Sequence, residues 1–338
     1  MVTIRDVAKA AGVSIATVSR VINGHPVVSE KTRRKVLKVI RELHYRPMPS
    51  PRRKSTLFGV LAVLIPDLLG YHYNEILMAI EQYAREEGFD TMISVPKGLP
   101  SRELEILDEY FKRRVDGVII CELHGSENIL EKFLKSGIPV TAVDYKMTEV
   151  RVDSVNTDNV GGAYKALKYL YSKGHRKVLY LRGPSSVYSS QDREEGIKKF
   201  LAKHRDMEVY FSKSEGFEPD NGYFTVKTHL AQYGKNFTAI FAVCDYVALG
   251  ALKALAESGL KVPDDVSIIG FDDSPFAPYT VPPLTTVLQP RKEMGIVAAQ
   301  LLIDRLKSSQ NRLCRNVILP TKIVERESVK DVGNRGVE

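Results

Sequence analysis

From Leu57 the chain runs Leu-Phe-Gly-Val-Leu-Ala-Val-Leu-Ile65 without a polar side chain, and this apolar run limits the fold more than any other feature. It is far shorter than the ~20 residues of a membrane span. It has the length of a strand buried on both faces, and such strands belong to parallel sheets covered by helices. The pattern then repeats. Helix 73–87, strand Thr91–Val95, helix 101–113, strand Gly117–Cys121, helix 126–136 and strand Pro139–Val143 are expected in turn. After Asp153–Asp158 the alternation restarts with helix 159–173, strand Lys177–Leu181, helix 190–203, strand Glu208–Phe211 and helix 219–233. Strand Ala239–Val243, helix 245–258 and strand Val266–Gly270 complete the second run. A last helix near 290–308 and short strands near 317–325 follow. Two such runs predict an α/β core of two doubly wound parallel-sheet subdomains with a cleft between them.

The charge is distributed unevenly. The 338 residues carry a net +8, yet residues 1–54 hold thirteen Lys and Arg against Asp6, Glu30 and Glu42, a net +10, which leaves −2 for the rest. Within this basic stretch apolar residues recur at helical spacing. Thr3-Ile-Arg-Asp6 is a capping-box-like start followed by Val7, Ala8 and Ala11, and Gly12 breaks the helix. Ser14 caps a second helix with Val18, Val21 and Ile22, which Asn23-Gly24 ends. Ser29 starts a third, with Val36, Ile40 and Leu43 on one face, and Tyr45-Arg46-Pro47 stops it. Two short helices about an Ala-Gly-Val turn with a third as support predict a helix-turn-helix, whose second helix reads base edges in the major groove. Ile15, Ala16, Ser19, Arg20 and Asn23 fall on its outward face, while Thr17 and Val18 pack inward or flank the turn. Ile15 and Ala16 suit thymine methyls; Arg20 suits guanine or phosphate. A folded, strongly basic module points to a polyanion; a plain three-helix bundle with a basic surface is the competing reading.

The run Ile4-Arg-Asp-Val-Ala-Lys-Ala-Ala-Gly-Val-Ser-Ile-Ala-Thr-Val-Ser-Arg-Val-Ile-Asn-Gly24, with Val28-Ser-Glu-Lys-Thr-Arg33, resembles the head of the lactose/galactose-repressor family of bacterial transcription regulators. The resemblance continues through almost the whole chain. It implies a repressor that binds a near-palindromic double-stranded operator as a homodimer, with a periplasmic-binding-protein-like core that holds a small effector, a sugar, and carries dimerisation. Ile15-Ala16 is similar to the apolar pair of the galactose-repressor branch. Expected boundaries are 1–46 for the head, 47–56 for a linker, 57–329 for the core and 330–338 for a polar tail. Within the core, 57–157 would join 289–315, and 158–288 would join 316–329.

Ligands of open α/β sheets bind at the carboxyl ends of strands. Polar and aromatic residues there are Asp144, Arg193, Asp272, Tyr73 and Phe217. Carboxylates and Arg bond vicinal hydroxyls, and aromatic faces cover the apolar side of a sugar ring. From the residues alone, an Asp in such a loop is more often a helix cap. The resemblance reverses that weighting: Gly270-Phe-Asp-Asp273 and Arg193-Glu-Glu-Gly196 match effector-contacting motifs, and Phe217 matches a ring-stacking position. His72 and Tyr73 match an aromatic pair after the first strand, and Ser189 and Gln289 complete the expected set. Cys244-Asp245 departs from the usual Asn-Asp. Sulfur is a poor hydrogen-bond partner, so one hydroxyl contact is expected to be missing or supplied by Asp245.

Neither the residues nor the resemblance suggests an enzyme, a cofactor or a metal site. Gly-x-Ser-x-Gly, Walker and His-Glu-x-x-His patterns are missing from the sequence, and Cys121, Cys244 and Cys314 have no metal-ligand spacing. An exported sugar-binding transport protein is the alternative of another class. The start MVTIRDVAKAAGV, with no apolar signal region, instead suggests a cytoplasmic protein with no membrane partner. The tail lacks leucine heptads, which favours a dimer. The linker Pro47-Met-Pro-Ser-Pro-Arg-Arg-Lys54 differs from the family's Ala-Arg-x-Leu helix, whose Leu side chains wedge into the minor groove; Lys54 falls at the Leu position. Arg52 and Arg53 are expected either along phosphates and in a narrow minor groove, or in nonspecific contacts only.

Overall fold

The computed structural model describes residues 4–22, 28–43, 57–308 (without 69, 98, 123–127 and 146–149) and 313–333. The chain divides into two units, Met1–Thr56 and Leu57–Glu338. In the first, helices α1 (Ile4–Ala11), α2 (Ile15–Ile22) and α3 (Glu30–Glu42) close over a small core of Val7, Ala8, Ala11, Val18, Val21 and Val36. Gly12 adopts φ 59°, a left-handed conformation that costs glycine little, and the Val13 N–H then reaches the Ala8 carbonyl at 3.0 Å. The Ser14 hydroxyl accepts from the Thr17 N–H at 3.1 Å and starts α2; Ser29 does the same for α3 through Thr32. Thr3, the Asn23-Gly24 stop and the linker lie outside the described residues.

The second unit alternates as expected. β1 (Val60–Leu64), α4 (Tyr71–Glu86), β2 (Asp90–Ser94), α5 (Pro100–Lys112), β3 (Gly117–Cys121), α6 (Asn128–Lys135), β4 (Val140–Val143) and β5 (Asp153–Thr157) form the first run. α7 (Asn159–Ser172), β6 (Lys177–Arg182), α8 (Tyr188–Lys203), β7 (Glu208–Glu215), α9 (Pro219–Tyr233), β8 (Ala239–Ala242), α10 (Asp245–Glu257), β9 (Ser267–Asp272) and β10 (Thr285–Leu288) form the second. α11 (Arg291–Lys307), β11 (Asn316–Leu319) and β12 (Lys322–Val324) end the fold. The two sheets run β11-β5-β4-β3-β1-β2 and β12-β10-β9-β8-β6-β7. Every described pairing is parallel except β10 with β12.

Three expectations need correction. Residues 316–329 do not join the second half as one piece. β11 pairs with β5 in the first sheet, Asn316 opposite Ser154, so the chain crosses back only after Leu319. The segment from 330 is not simply a free polar tail. The Lys330 N–H bonds Ser267 Oγ at 3.0 Å, and the Val332 N–H bonds the Lys173 carbonyl at 2.8 Å. Finally, β5 and β10 are strands that apolar patterning does not reveal. β5 reads Asp-Ser-Val-Asn-Thr, and its buried Asp153 is matched by the Arg305 guanidinium and the Arg315 N–H.

Each sheet carries its own apolar core. Tyr180, Phe200, Phe237, Phe241 and Phe271 are fully buried in the second half, each contributing roughly 1.5–3 kcal/mol by burial. There α9 and α10 approach through glycines. A Cβ on Gly250 would lie 1.7 Å from the Pro219 carbonyl oxygen, and one on Gly222 would lie 2.0 Å from that of Val247.

Candidate functional site

In the first unit, α2 buries Val18 and Val21 against α1 and α3 and leaves Ile15, Ala16 and Arg20 exposed, with Ile15 at 45 %. Thr17 and Ser19 are half-buried. Ser14 and Thr17 share a 2.9 Å hydroxyl–hydroxyl bond at the start of the helix. Two exposed apolar side chains and a cation on one short face form a surface suited to a DNA groove. Thr3, Asn23, Arg52 and Arg53 lie outside the described residues.

In the second unit the carboxyl ends of the two sheets face each other. Tyr71, opening α4 after β1, stacks at 6.2 Å on Tyr246, which follows β8, and lies 6.0 Å from Phe276, which follows β9. On the first wall His72 Nε2 is 2.6 Å from Asp144 Oδ2, and the Tyr73 hydroxyl donates to Glu122 Oε2 at 2.6 Å. On the second wall Arg193, one turn after half-buried Ser189, is almost fully buried. Its Nε donates to Asn159 Oδ1 at 3.0 Å and its Nη1 to the Val243 carbonyl at 2.6 Å. The guanidinium lies 3.8 Å above the Phe271 ring centroid. Asp272 Oδ1 is 3.9 Å from Arg193 Nη2 and accepts from Gln289 Nε2 at 2.6 Å. Phe217, half-buried, packs over Gly183: a Cβ there would lie 2.9 Å from its ring.

Arg291 links the walls. From the start of α11 it bonds the carbonyls of Asp272 and Asp273, while its Nε donates to Glu75 Oε2 on α4 at 2.6 Å. A cavity of about 390 Å³ opens beside it, lined in part by Glu75, Asp273 and Gln289. Glu122, Asn159, Glu75 and Arg291 were not anticipated. Glu122 directly follows β3, so the rule that found Asp144 after β4 would have found it too.

Asp144 and Asp272, with Glu122 and Asp273, all hold positive φ, at 51°, 125°, 53° and 56°. Such a backbone costs a non-glycine residue roughly 1–2 kcal/mol. Four carboxylates held this way at strand ends mark a place where side-chain direction matters more than local comfort. Tyr73 is held well above the ordinary phenol range, first by burial and then by the charges of Glu122 and Asp144. Burial and the same two carboxylates push the Cys121 thiol up as well.

Asp245, expected as a possible hydroxyl partner at the cleft, has both carboxylate oxygens engaged by the protein itself. It is fully buried, its Oδ2 accepts the Ser274 N–H at 2.7 Å, and its Oδ1 accepts the Thr286 hydroxyl at 2.6 Å. Both oxygens face the interior because Gly270 leaves room for one of them: a Cβ on Gly270 would lie 2.1 Å from Oδ1. Burial, and next the charge of Asp272, push this carboxyl up to about 8. Cys244, also buried, directs its sulfur at the Phe217 carbonyl at 3.5 Å.

Residues 3–48 match the bacterial regulatory proteins of the lacI family, and residues 167–329 match the periplasmic binding protein-like domain. The regulator DegA of Bacillus subtilis is 35% identical over 335 residues, covering 96% of this chain and 97% of its own. The chain belongs to the lacI family of bacterial regulatory proteins. Two solved members extend the likeness to the fold. A complex of the regulator CelR with cellobiose has a TM-score of 0.72 at 29% identity, covering 97% of this chain and 100% of its own. The lac repressor dimer bound to operator and the anti-inducer ONPF has a TM-score of 0.72 at 27% identity, covering 97% and 99%. As a lacI-family protein the chain is a DNA-binding regulator of transcription with a ligand-responsive core, not an enzyme. Among the described residues no helix is long and apolar enough to cross a membrane.

Proposed function

We propose that this regulator represses transcription in the cytoplasm as a homodimer on a near-palindromic operator, and that a sugar between the two core subdomains sets its operator affinity. The observation that carries this reading is the set of hydroxyl-binding groups at facing strand ends: Asp144 on one wall, Arg193, Asp272 and Gln289 on the other. Carboxylates accept from vicinal hydroxyls and Arg donates to them; Phe217 offers a ring face to a sugar. Asp245 is not part of this set. The CelR neighbour is similar in fold and holds cellobiose. The lac repressor neighbour is a dimer on its operator. In the head, Ile15, Ala16, Ser19 and Arg20 read the operator, while Ser14 and Thr17 fix the start of the reading helix.

Gel shifts on a selected operator, with and without a sugar panel, test both parts. Arg20→Ala is expected to weaken operator binding at unchanged thermal stability, and wild-type binding is expected to fall steeply with salt as phosphate counterions are released. An operator bound as tightly by Arg20→Ala as by wild type refutes the head assignment. A sugar panel that leaves operator affinity unchanged refutes the effector assignment.

A further inference from the structure

The chain passes between the two core sheets after β5, after β10 and after β11. Lobes joined this way close as hinged bodies, and the contacts across the cleft set how far. One face of α4 supplies two such contacts. Tyr71 and Glu75 lie about one helical turn apart on that face. Glu75 accepts from Arg291, which grips the carbonyls of Asp272 and Asp273. Tyr71 meets two rings of the second subdomain, Tyr246 and Phe276. Its neighbours behave differently: His72 and Tyr73 turn to Asp144 and Glu122 on their own wall.

The two rings of the second subdomain form a socket. Tyr246 and Phe276 stand edge to face with centroids 5.2 Å apart, and Tyr246 packs against the second core. The Asp245 carboxylate, one residue before Tyr246, accepts the Ser274 N–H at 2.7 Å. That bond ties the start of α10 to the loop that carries Phe276, so the two rings move as one body. Tyr71 is the plug. It opens α4, stays 43 % exposed, and its ring lies 6.2 Å from Tyr246 and 6.0 Å from Phe276. These separations fall within the range of attractive aromatic pairs. A half-covered ring whose aromatic partners stand on the opposite wall gains its contacts only when the two lobes meet.

We propose that Tyr71, Tyr246 and Phe276 form an aromatic latch that holds the cleft closed before any ligand binds, so that a ligand reaches the strand ends only when these rings part. The latch belongs to the empty protein and is independent of what the cleft holds. Removing the Tyr71 ring deletes two aromatic pairs at once and leaves the Glu75–Arg291 contact in place. The balance between closed and open forms should then move towards open by about tenfold.

The test uses the full chain with no ligand added. Cys244 is buried at the β8 exit, two residues before Tyr246, so its reaction with N-ethylmaleimide reports opening of the cleft. Peptide mass spectrometry counts it apart from exposed Cys314 and from Cys121, which is buried in the core of the first sheet. In Tyr71→Ala and in Phe276→Ala, Cys244 is expected to react about tenfold faster than in wild type at an unchanged thermal midpoint. Tyr71→Phe keeps the ring and is expected to react at the wild-type rate. The chain has no tryptophan, so Tyr71→Trp supplies a second reading: blue-shifted emission that moves to the red when Phe276→Ala is added. Unchanged Cys244 labelling in the Ala variants, Tyr71→Phe behaving as Tyr71→Ala, or a fully solvated Trp emission in the single variant overturns the latch. So does a rise matched at Cys121, which marks general loosening of the fold. None of these readouts involves a sugar, so the effector reading stands or falls separately, by the gel shifts.

Discussion

Replacing Arg193 by Ala separates a ligand contact from a structural one. A residue that only touched the effector would be removed at little cost to the empty protein. Arg193 is instead almost completely buried, with donors committed to Asn159 Oδ1 and the Val243 carbonyl, its plane on Phe271 and Asp272 nearby. Truncation strands two buried acceptors, each at about 1–3 kcal/mol. It also removes the counter-charge of Asp272 and the ring contact, worth roughly 0.5–2 kcal/mol. Because the cavity admits water and the neighbours relax, a net loss of about 3–5 kcal/mol is expected, the range for breaking a buried ion pair. For a core of this size that lowers Tm by roughly 10 °C. Differential scanning fluorimetry without effector reads this directly, and gel shifts with and without sugar read the response. Arg193→Lys keeps the charge but not the planar fork, so it should fall between the two. The expected pattern is a destabilised repressor that binds operator at 20 °C and ignores sugar. An unchanged Tm with a lost response would show that the buried contacts contribute little; an unchanged response would remove Arg193 from the site.

Further outcomes follow from the same structure. Gly250→Ala forces a methyl group into the Pro219 carbonyl and should cost about 3 kcal/mol or more, read as a lower urea midpoint; a midpoint within error of wild type would mean that α9 and α10 separate freely. Asp245 is favoured in its protonated form by the folded chain, so its contribution is complete below about pH 4 and is lost as pH rises towards about 8. Asp245→Asn should therefore gain on wild type in Tm between pH 5 and 8, and parallel profiles would contradict this. With Lys54 where the family's minor-groove Leu falls, operator bending by circular-permutation gel shift should be smaller than in wedge-bearing members, and a large kink with strong dependence on the central base step would reverse that reading of residues 47–54.

The layer order was open to reading because alternation is a local property. Val-Leu-Ala-Val-Leu and Gly-Val-Ile-Ile-Cys are apolar on both faces wherever they lie, and only a parallel sheet accommodates them. The head was open for a similar reason: Gly12, Ser14 and Ser29 perform their work within a turn of their own position. β5 was hidden because its polar residues are neutralised from elsewhere, Asp153 by Arg305 some 152 residues away. The same separation in sequence hides which strand-end carboxylates face a ligand. Asp144, Asp245 and Asp272 look alike from the rule that residues after strands line the cleft. They differ because Asp245 turns inward towards Ser274 and Thr286, into space that exists only because residue 270 has no side chain.

That inward turn also bears on what the cleft selects. At the β8 exit this chain has Cys244, whose sulfur is directed at the Phe217 carbonyl, and Asp245, whose oxygens are both taken. The β8 exit therefore brings little hydrogen-bonding capacity to the ligand. The β3 and β4 exits bring Glu122 and Asp144, each on a positive-φ backbone. A deoxy analogue lacking the hydroxyl that faces Asp144 should lose about tenfold in affinity, because one charge-assisted hydrogen bond to the carboxylate is lost while that to His72 remains. One lacking a hydroxyl towards Cys244 should lose little. If titrations of both analogues by thermal shift show the larger loss at Cys244, the β8 exit carries the discrimination, and the placing of Asp144 against a sugar hydroxyl is wrong.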